Sequence, residues 1–346
     1  MWLRDELLRR FPALTLLPPH STAVGGAIRD ILIGRKPADV DVECDDPEGC
    51  ARLLGKAIPL GRGDLRVYRV VRGDSIYDFS GRTDLRRRDF TINAIALDLT
   101  SAELQDPFEG EADIRRRAVR MIRWENFQDD PLRMLRGVRL ALQFDFTIEE
   151  KTVTAIRRRA AHVVTVAAER VTYELNAIFS MNKFRTALLR LSETGLDEPL
   201  FGYAIDAERF HADDVSCAGA FALLLRDPGQ FAERWKWSRE LLREVTTLQR
   251  LLREPDLLSI YEAGERIASE LPALFRATNR EVPPMPDLTI LPLLDGNEIA
   301  RITGLAGPEL GAAKRSLIAA QLHGEVRTRE DAERRMSESA SERISE

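Results

Sequence analysis

Residues 23–44 read AVGGAIRDILIGRKPADVDVEC. Polar and apolar residues alternate from Asp39 to Val42, the period-2 signature of a strand with one buried face. Side chains at i and i+2 of a strand leave the same face, so Asp39 and Asp41 point together. Two carboxylates that close repel unless a cation lies between them. Hard oxygen ligands suit Mg²⁺, which takes one or two carboxylates and completes its shell with water and phosphate oxygens. Ahead of this strand, Gly25-Gly26 allows a close backbone approach, and Ala27–Ile33 reads as a short helix. Arg29 adds a planar fork of donors suited to phosphate. A lone D-x-D is ordinarily a solvated strand face. The order GG-x-x-RD followed about ten residues later by D-x-D is far more specific. It points to a site for a metal-bound nucleoside triphosphate.

Around this stretch, composition sets limits. The 346 residues are 44% hydrophobic with a net charge of −5, which suits a chain of two or three globular units. No run of about 20 apolar residues suggests a membrane span. The N-terminus MWLRDELLRRF lacks a signal-peptide core, so a cytoplasmic location is expected. Cys44, Cys50 and Cys217 make neither a zinc spacing nor a disulfide framework. The basic residues are mostly Arg and bunched, at Arg86–Arg88, Arg115–Arg117, Arg133–Arg139 and Arg157–Arg159, a pattern suited to phosphate and base edges within an acidic chain.

The chain changes character along its length. An amphipathic helix and a loop closed by Pro18-Pro19 occupy residues 1–20. Short helices and strands then alternate to about residue 100. Strands are expected at Asp39–Glu43, Leu65–Val71, Ser75–Ser80 and Ile95–Leu99, with Gly73-Asp74 as a hairpin turn. A helix is expected over Pro47–Lys56. From Ile114 the period becomes helical, with Leu132, Leu135, Val138 and Leu142 on one face. Further helical runs are Val163–Phe179, Phe184–Leu191, Ala218–Leu225 and Trp235–Leu252. A loop marked by Pro283, Pro284 and Pro286 precedes the last segment, and the polar tail Gly324–Glu346 is either a solvated helix or frayed. The expected class is α+β: a head with a small mixed sheet (1–118), then a helical neck (119–200), body and tail (201–346).

Later motifs sharpen the reading. Residues 87–94 read RRDFTINA, residues 106–110 DPFEG, and residues 129–136 DDPLRMLR. With GG-x-x-RD and D-x-D, they resemble the class II tRNA nucleotidyltransferases (CCA-adding enzymes) and the related bacterial poly(A) polymerases, members of the DNA polymerase β superfamily. Glu169-Arg170 with Glu174-Leu175 matches the family's ER-x-x-x-EL element, read as a bracing Arg170–Glu174 pair. LLDGNEIARITGLAGPELGAAKRSLIAAQLHGEVRTREDA resembles the tail that grips the tRNA elbow, where Lys314-Arg315 suits phosphate. Two motifs depart from the family pattern: Glu109 stands for a glycine, and Asp129 for a glutamate.

The resemblance implies roles. Asp39 and Asp41 are the catalytic metal ligands for Mg²⁺, with Asp78 a candidate third. Gly25, Gly26, Arg29 and Arg88 hold the triphosphate, and Asp89 and Asn93 orient the sugar. Asp130 and Arg133, read as i and i+3 on one helical face, choose the base, and Arg136 and Arg139 continue toward the phosphates. The substrates implied are tRNA, CTP and ATP, with no membrane and no obligate protein partner. Only Gly81–Arg86 separates Ser80 from RRDFTINA, whereas relatives that build the whole CCA end carry a longer flexible segment there. A CC-adding specialist and a full CCA-adding enzyme therefore both stay open. A poly(A) polymerase is the next alternative, although the tail SESASERISE lacks that branch's usual basic extension. From another class, a non-catalytic RNA-binding module would keep the fold without the chemistry.

Overall fold

The computed structural model describes residues 1–61 and 66–344, with side chains to residue 341. The chain folds as two compact units. The first comprises residues 1–181 and 186–206, and the second residues 182–185 and 207 onward. The expected head, and the expected neck apart from residues 182–185, lie in the first unit.

That unit is built on a seven-stranded sheet ordered β3-β4-β5-β2-β1-β6-β7. The strands are β1 (Thr22–Val24), β2 (Asp39–Glu43), β3 (Ile58–Leu60), β4 (Val67–Arg72), β5 (Ser75–Ser80), β6 (Ala96–Asp98) and β7 (Leu104–Gln105). The first part of the expected strand Leu65–Val71, Leu65 itself, lies outside the described residues. All neighbours run antiparallel except β2 and β5, which pair in parallel with Asp41 opposite Asp78. Helices α1 (Trp2–Arg10), α2 (Gly26–Leu32) and α3 (Pro47–Leu54) supply the other side of the core. Val40 and Val42 are fully buried in it, whereas Asp39 and Asp41 face away. Each buried valine contributes about 1.5–3 kcal/mol of transfer free energy, so a slip of one residue along β2 would be severely opposed. The hydrophobic pattern thus fixes where the two carboxylates point.

Past the sheet come α4 (Gly110–Arg116), β8 (Ala118–Val119), α5 (Asn126–Asp129), α6 (Leu132–Phe144), β9 (Thr147–Ile148), α7 (Glu150–Arg157) and α8 (Ala168–Phe179). The region expected to be almost wholly helical therefore contains a small parallel pair, β8 with β9. Leu132, Leu135, Val138 and Leu142 of α6 are all buried, and α6 packs along α8. The outer side of α6 carries Arg133 and Arg136, where aliphatic residues would be wasted. At its C-terminal end Phe144 lies under two guanidinium groups of the head, Arg29 at 4.6 Å and Arg35 at 5.3 Å. Arg35 also donates to the Gln143 carbonyl at 2.8 Å.

The second unit is helical among its described residues. The expected run Trp235–Leu252 is two helices, Pro228–Trp235 and Arg239–Arg253. Lys236 takes the left-handed conformation that ends the first, and the Ser238 hydroxyl caps the second. The proline-marked stretch is irregular as expected, and the polar tail forms a helix, Arg329–Ile344. Ahead of it, helix Gly296–Thr303 opens on a capping box of Asp295 and Glu298. Leu294, Ile299, Leu317, Ala332 and Met336 form the local core. Arg315, expected to contact phosphate, is ion-paired with Glu262 at 2.8 Å. Among the described residues, no helix is long and apolar enough to cross a membrane.

Gly110 opens α4 where that helix abuts the RRDFTINA segment. A Cβ there would stand 2.3 Å from the Thr91 carbonyl oxygen and 2.8 Å from Ile95 Cγ1. Gly110→Ala is expected to cost about 1–3 kcal/mol through overpacking, lowering the thermal unfolding midpoint of the apoprotein. An unchanged midpoint would show that the α4 contact has slack.

Candidate functional site

Most of the sequence-marked residues, though not Gly25, Asp78 or Asp130, line one cavity of about 1020 Å³ in the first unit. Its lining includes Gly26, Arg29, Asp39, Asp41, Arg88, Asp89, Asn93, Arg133, Arg136 and Arg139. One wall is the polar face of β2, and the facing wall is arginine-rich.

On the acidic wall, Asp39 is exposed and Asp41 is half-buried. Burial raises the Asp41 carboxyl above the usual carboxylate range. Arg88 opposes the shift, while Asp39 and Asp78 reinforce it. A carboxylate in this state gains from a bound divalent cation, so Asp39 and Asp41 fit a hard metal by their chemistry. Asp78 shares their side of the sheet through its register with Asp41. Both its oxygens, however, are taken by Arg69 of β4, at 2.8 Å and 2.6 Å. Among the described residues, no group of three or more His, Cys, Asp or Glu is arranged to hold a metal. A pair of carboxylates is what the site offers.

Glu43 is the third residue in the same alternation as Asp39 and Asp41, and sequence reading passed it over. It is buried and accepts from the Thr83 hydroxyl at 2.5 Å, the Thr83 amide at 3.2 Å and Arg88 Nη2 at 3.2 Å. On its other side Arg88 presses against Gly25. Gly25 has φ +74°, and a Cβ there would stand 2.7 Å from Arg88 Nη1. Only glycine meets both demands, so Gly25 sets the position of Arg88.

Through RRDFTINA runs a continuous chain that is buried from Arg29 to Asp89 and ends on the half-exposed Arg136. Arg29 Nη1 donates to Asn93 Oδ1 at 2.5 Å, Asn93 Nδ2 donates to Asp89 Oδ1 at 2.9 Å, and Arg136 Nε meets Asp89 Oδ2 at 3.1 Å. Asp89 also accepts the Phe90 amide. Burial pushes the Asp89 carboxyl upward, but Arg136, Asn93, the Phe90 amide and Arg133 together hold it below the usual range. Burial likewise draws Arg29 down, offset by Asp30, to which it donates at 2.7 Å. Asp89 and Asn93, expected to orient a sugar, use their polar atoms to hold two arginines. Asn126, unmarked in the sequence reading, fixes the segment's start by donating to the Arg86 and Arg88 carbonyls at 2.8 Å and 2.6 Å.

Asp130 and Arg133 are placed differently from the helical pair expected. Asp130 has extended backbone (φ −147°, ψ 98°) ahead of α6. Its carboxylate accepts from Arg170 Nη2 at 2.8 Å and Nη1 at 3.3 Å. The bracing Arg170–Glu174 pair is correspondingly replaced, because Glu174 accepts from Arg139 at 2.5 Å. Two i,i+4 neighbours on α8 thus reach across and do not pair locally: Glu174 meets Arg139 of α6 in a partly buried pair, and Arg170 meets Asp130, two residues ahead of α6, near the surface. Arg139, expected near phosphate, is spent on Glu174 and Gln143. Arg133 retains one long contact, to the Asn126 carbonyl at 3.4 Å.

Comparisons with known proteins agree with this architecture. A family model described as "Poly A polymerase head domain" matches residues 61–120, and "Probable RNA and SrmB- binding site of polymerase A" matches residues 145–207. An A-adding tRNA nucleotidyltransferase of Deinococcus radiodurans is 35% identical over 77% of this chain and 66% of its own length. A CC-adding tRNA nucleotidyltransferase of Synechocystis sp. is 35% identical over 55% of this chain and 49% of its own. The chain thus spans less than two thirds of those two proteins. A CCA-adding enzyme of Lactococcus lactis subsp. cremoris is 30% identical over 81% of this chain and 80% of its own. The crystal structure of the Bacillus stearothermophilus CCA-adding enzyme in complex with CTP superposes with a TM-score of 0.80 at 26% identity, covering 99% of each chain.

The buried chain has a pH signature. Asp89 is held below the ordinary carboxylate range, so it stabilises the fold above its unfolded-state pKa. That contribution is lost as pH falls through the lowered folded value. Asp89→Asn is expected to destabilise the apoprotein at pH 7 by about 1–3 kcal/mol, since Arg136 loses its partner. The gap to wild type should narrow in acid, where both side chains are neutral. Thermal midpoints measured from pH 8 down to pH 3 check this, and a gap that widens in acid would refute it.

Proposed function

We propose that this chain, which belongs to the family of the CCA-adding tRNA nucleotidyltransferases, transfers C and/or A from CTP or ATP to the 3′-hydroxyl of tRNA and releases pyrophosphate. The observation that carries this reading is the pairing of walls in one cavity: Asp39 and Asp41 on β2 against Arg29, Arg88 and Arg136. A carboxylate pair opposite a set of fixed guanidinium groups is what a metal-bearing triphosphate requires.

Asp39 and Asp41 would hold Mg²⁺, which supplies activation of the RNA hydroxyl and neutralisation of the departing pyrophosphate. Arg88, wedged between Glu43 and Gly25, takes the phosphates as they pass Gly26. Arg29 and Arg136, tied through Asn93 and Asp89, neutralise charge without having to move at the moment of reaction. Asp78 acts through Arg69 and keeps negative charge beside Asp41. Arg133 donates to ring and carbonyl acceptors of the incoming base, and Asp130 accepts from its exocyclic amine. Asp130 is free to do so while bound to Arg170, because a carboxylate offers about four acceptor sites. Residues 1–118 then serve as the catalytic head, 119–200 as the neck that selects the nucleotide, and 201–346 as the body and tail for tRNA. A tRNA substrate implies action in the cytoplasm.

A CC-adding specialist is the sharper reading, and the short connector supports it. Arg82 donates to Asp45 at 2.7 Å and to the His20 carbonyl at 2.9 Å, while Thr83 is held by Glu43. Such a segment has little freedom to re-form the site between C and A addition.

Asp39→Ala and Asp41→Ala are each expected to abolish nucleotide addition while tRNA binding, followed by filter retention, survives. Substantial incorporation by either variant would defeat the two-carboxylate assignment. Offering wild-type protein tRNA lacking CCA, tRNA ending in CC, and a generic oligoribonucleotide, each with CTP or ATP, separates the activities. C addition alone marks a CC-adding enzyme, A addition to the CC end alone marks an A-adding one, both together mark a CCA-adding one, and long A tails on the generic RNA mark a poly(A) polymerase. No product with Mg²⁺ or Mn²⁺ marks a non-catalytic RNA-binding module.

A further inference from the structure

Beside the main cavity is a second cleft of about 360 Å³, and the two share Arg133 and Arg136 as lining. The second cleft is completed by Asp130 at the start of α6 and by Tyr173 and its neighbours on α8. Helix α8 buries Val171, Leu175 and Ile178 and turns Glu169, Arg170 and Tyr173 outward. Tyr173 is 70% exposed, the most exposed aromatic side chain among the described residues. Its position on the outer stripe keeps it out of the core.

Most charged groups around the cleft are already committed. Arg170 holds Asp130, Arg139 holds Glu174, and Arg136 holds Asp89. Three groups differ. Among the described residues Glu169 makes no side-chain hydrogen bond or ion pair, Arg133 has its single 3.4 Å contact, and the Tyr173 ring and hydroxyl have no hydrogen bond or ring contact. An exposed aromatic face beside a loosely held planar donor fork complements a nucleobase. The ring offers a stacking surface, and the guanidinium offers donors to the base edge. An apolar ligand would satisfy the first and strand the second, whereas a bare phosphate would do the reverse.

We propose that Tyr173 is a nucleobase-stacking residue of the second cleft, working beside Arg133 to hold an unpaired nucleobase at the place of nucleotide addition. This rests on the nucleotidyltransferase reading above. The base has two sources, the incoming nucleotide or the last nucleotide of the RNA, and both present the same π-face.

The test uses full-length wild type, Tyr173→Ala and Tyr173→Phe. It measures KM for CTP, KM for a tRNA transcript lacking CCA, and kcat, together with equilibrium affinity for CTP alone and for that tRNA alone. Because Tyr173 is exposed, all three proteins should share one thermal midpoint. Losing the ring is expected to raise one KM and weaken the matching affinity on the order of tenfold, the usual scale of one base–aromatic stack. Tyr173→Phe keeps the ring and should stay within about twofold. An effect confined to CTP assigns the stack to the incoming base, and one confined to tRNA assigns it to the RNA end. If wild type is active and Tyr173→Ala matches it in both constants and both affinities, the stacking role is wrong. If wild type adds no nucleotide to any tRNA, the functional reading itself fails, a separate outcome.

Discussion

The organisation of the site depends on one buried amide. Asn93 has a carbonyl oxygen facing Arg29 and an amino group facing Asp89, and it uses both. A neutral amide carries an acceptor at one end and donors at the other, so it can face a cation and an anion at once and satisfy each. An apolar residue at this position would take one hydrogen bond from each of two charged groups, leaving Arg29 to Asp30 and Asp89 to Arg136. Through this amide, α2, the RRDFTINA segment and α6 are joined by a chain of charge-assisted bonds. Arg29 also packs over Phe144, so the same contact sets how α6 meets the head. Catalytic geometry and core packing are in this way one constraint.

That chain explains how so many arginines coexist around one cavity. Arg29 and Arg136 would repel across a region of low dielectric, and each weakens the other's environment. Interposing Asp89 raises Arg136 and lowers Asp89, a mutual adjustment that keeps all three ionised. Opposite them, Asp41 is raised chiefly by burial, with Asp39 and Asp78 adding to the rise and Arg88 opposing it. One side of the cavity is thus acidic and another rich in guanidinium groups, so a cation and a polyanion arriving together complement both.

Much of this was legible in the sequence because it depends on local rules. The alternation from Asp39 to Val42 placed β2 with the bounds found. The Gly73-Asp74 turn pairs Arg72 with Ser75, and counting back from it puts Arg69 opposite Asp78. The ion pair that occupies Asp78 could therefore have been read in advance. Glu43 was likewise available as the next member of the alternating series. What escaped was decided at long range. Asp130 and Arg133 are spaced like helical neighbours, but Pro131 starts the turn and leaves Asp130 extended. Arg170 and Glu174 are spaced like a local pair, yet their partners lie 40 and 35 residues away. No periodicity records a choice between a solvated neighbour and a better-buried distant one. The break between Trp235 and Arg239 is intermediate, since Ser238 was a visible capping residue inside an otherwise continuous apolar pattern.

The clasp between Thr83 and Glu43 has a mechanical corollary. Residues 81–86 reach from the end of β5 to the arginine cluster, and six residues span at most about 20 Å when taut. The segment is moored to the rest of the head by Arg82 and Thr83. Glu43 receives both the mooring and Arg88, so a shift of the connector is passed to a guanidinium that lines the cavity. Connector length thereby becomes a tuning parameter for the cavity. Residues added there in the course of evolution would be felt first as slack at Arg88, long before they disturbed the sheet that carries the carboxylates.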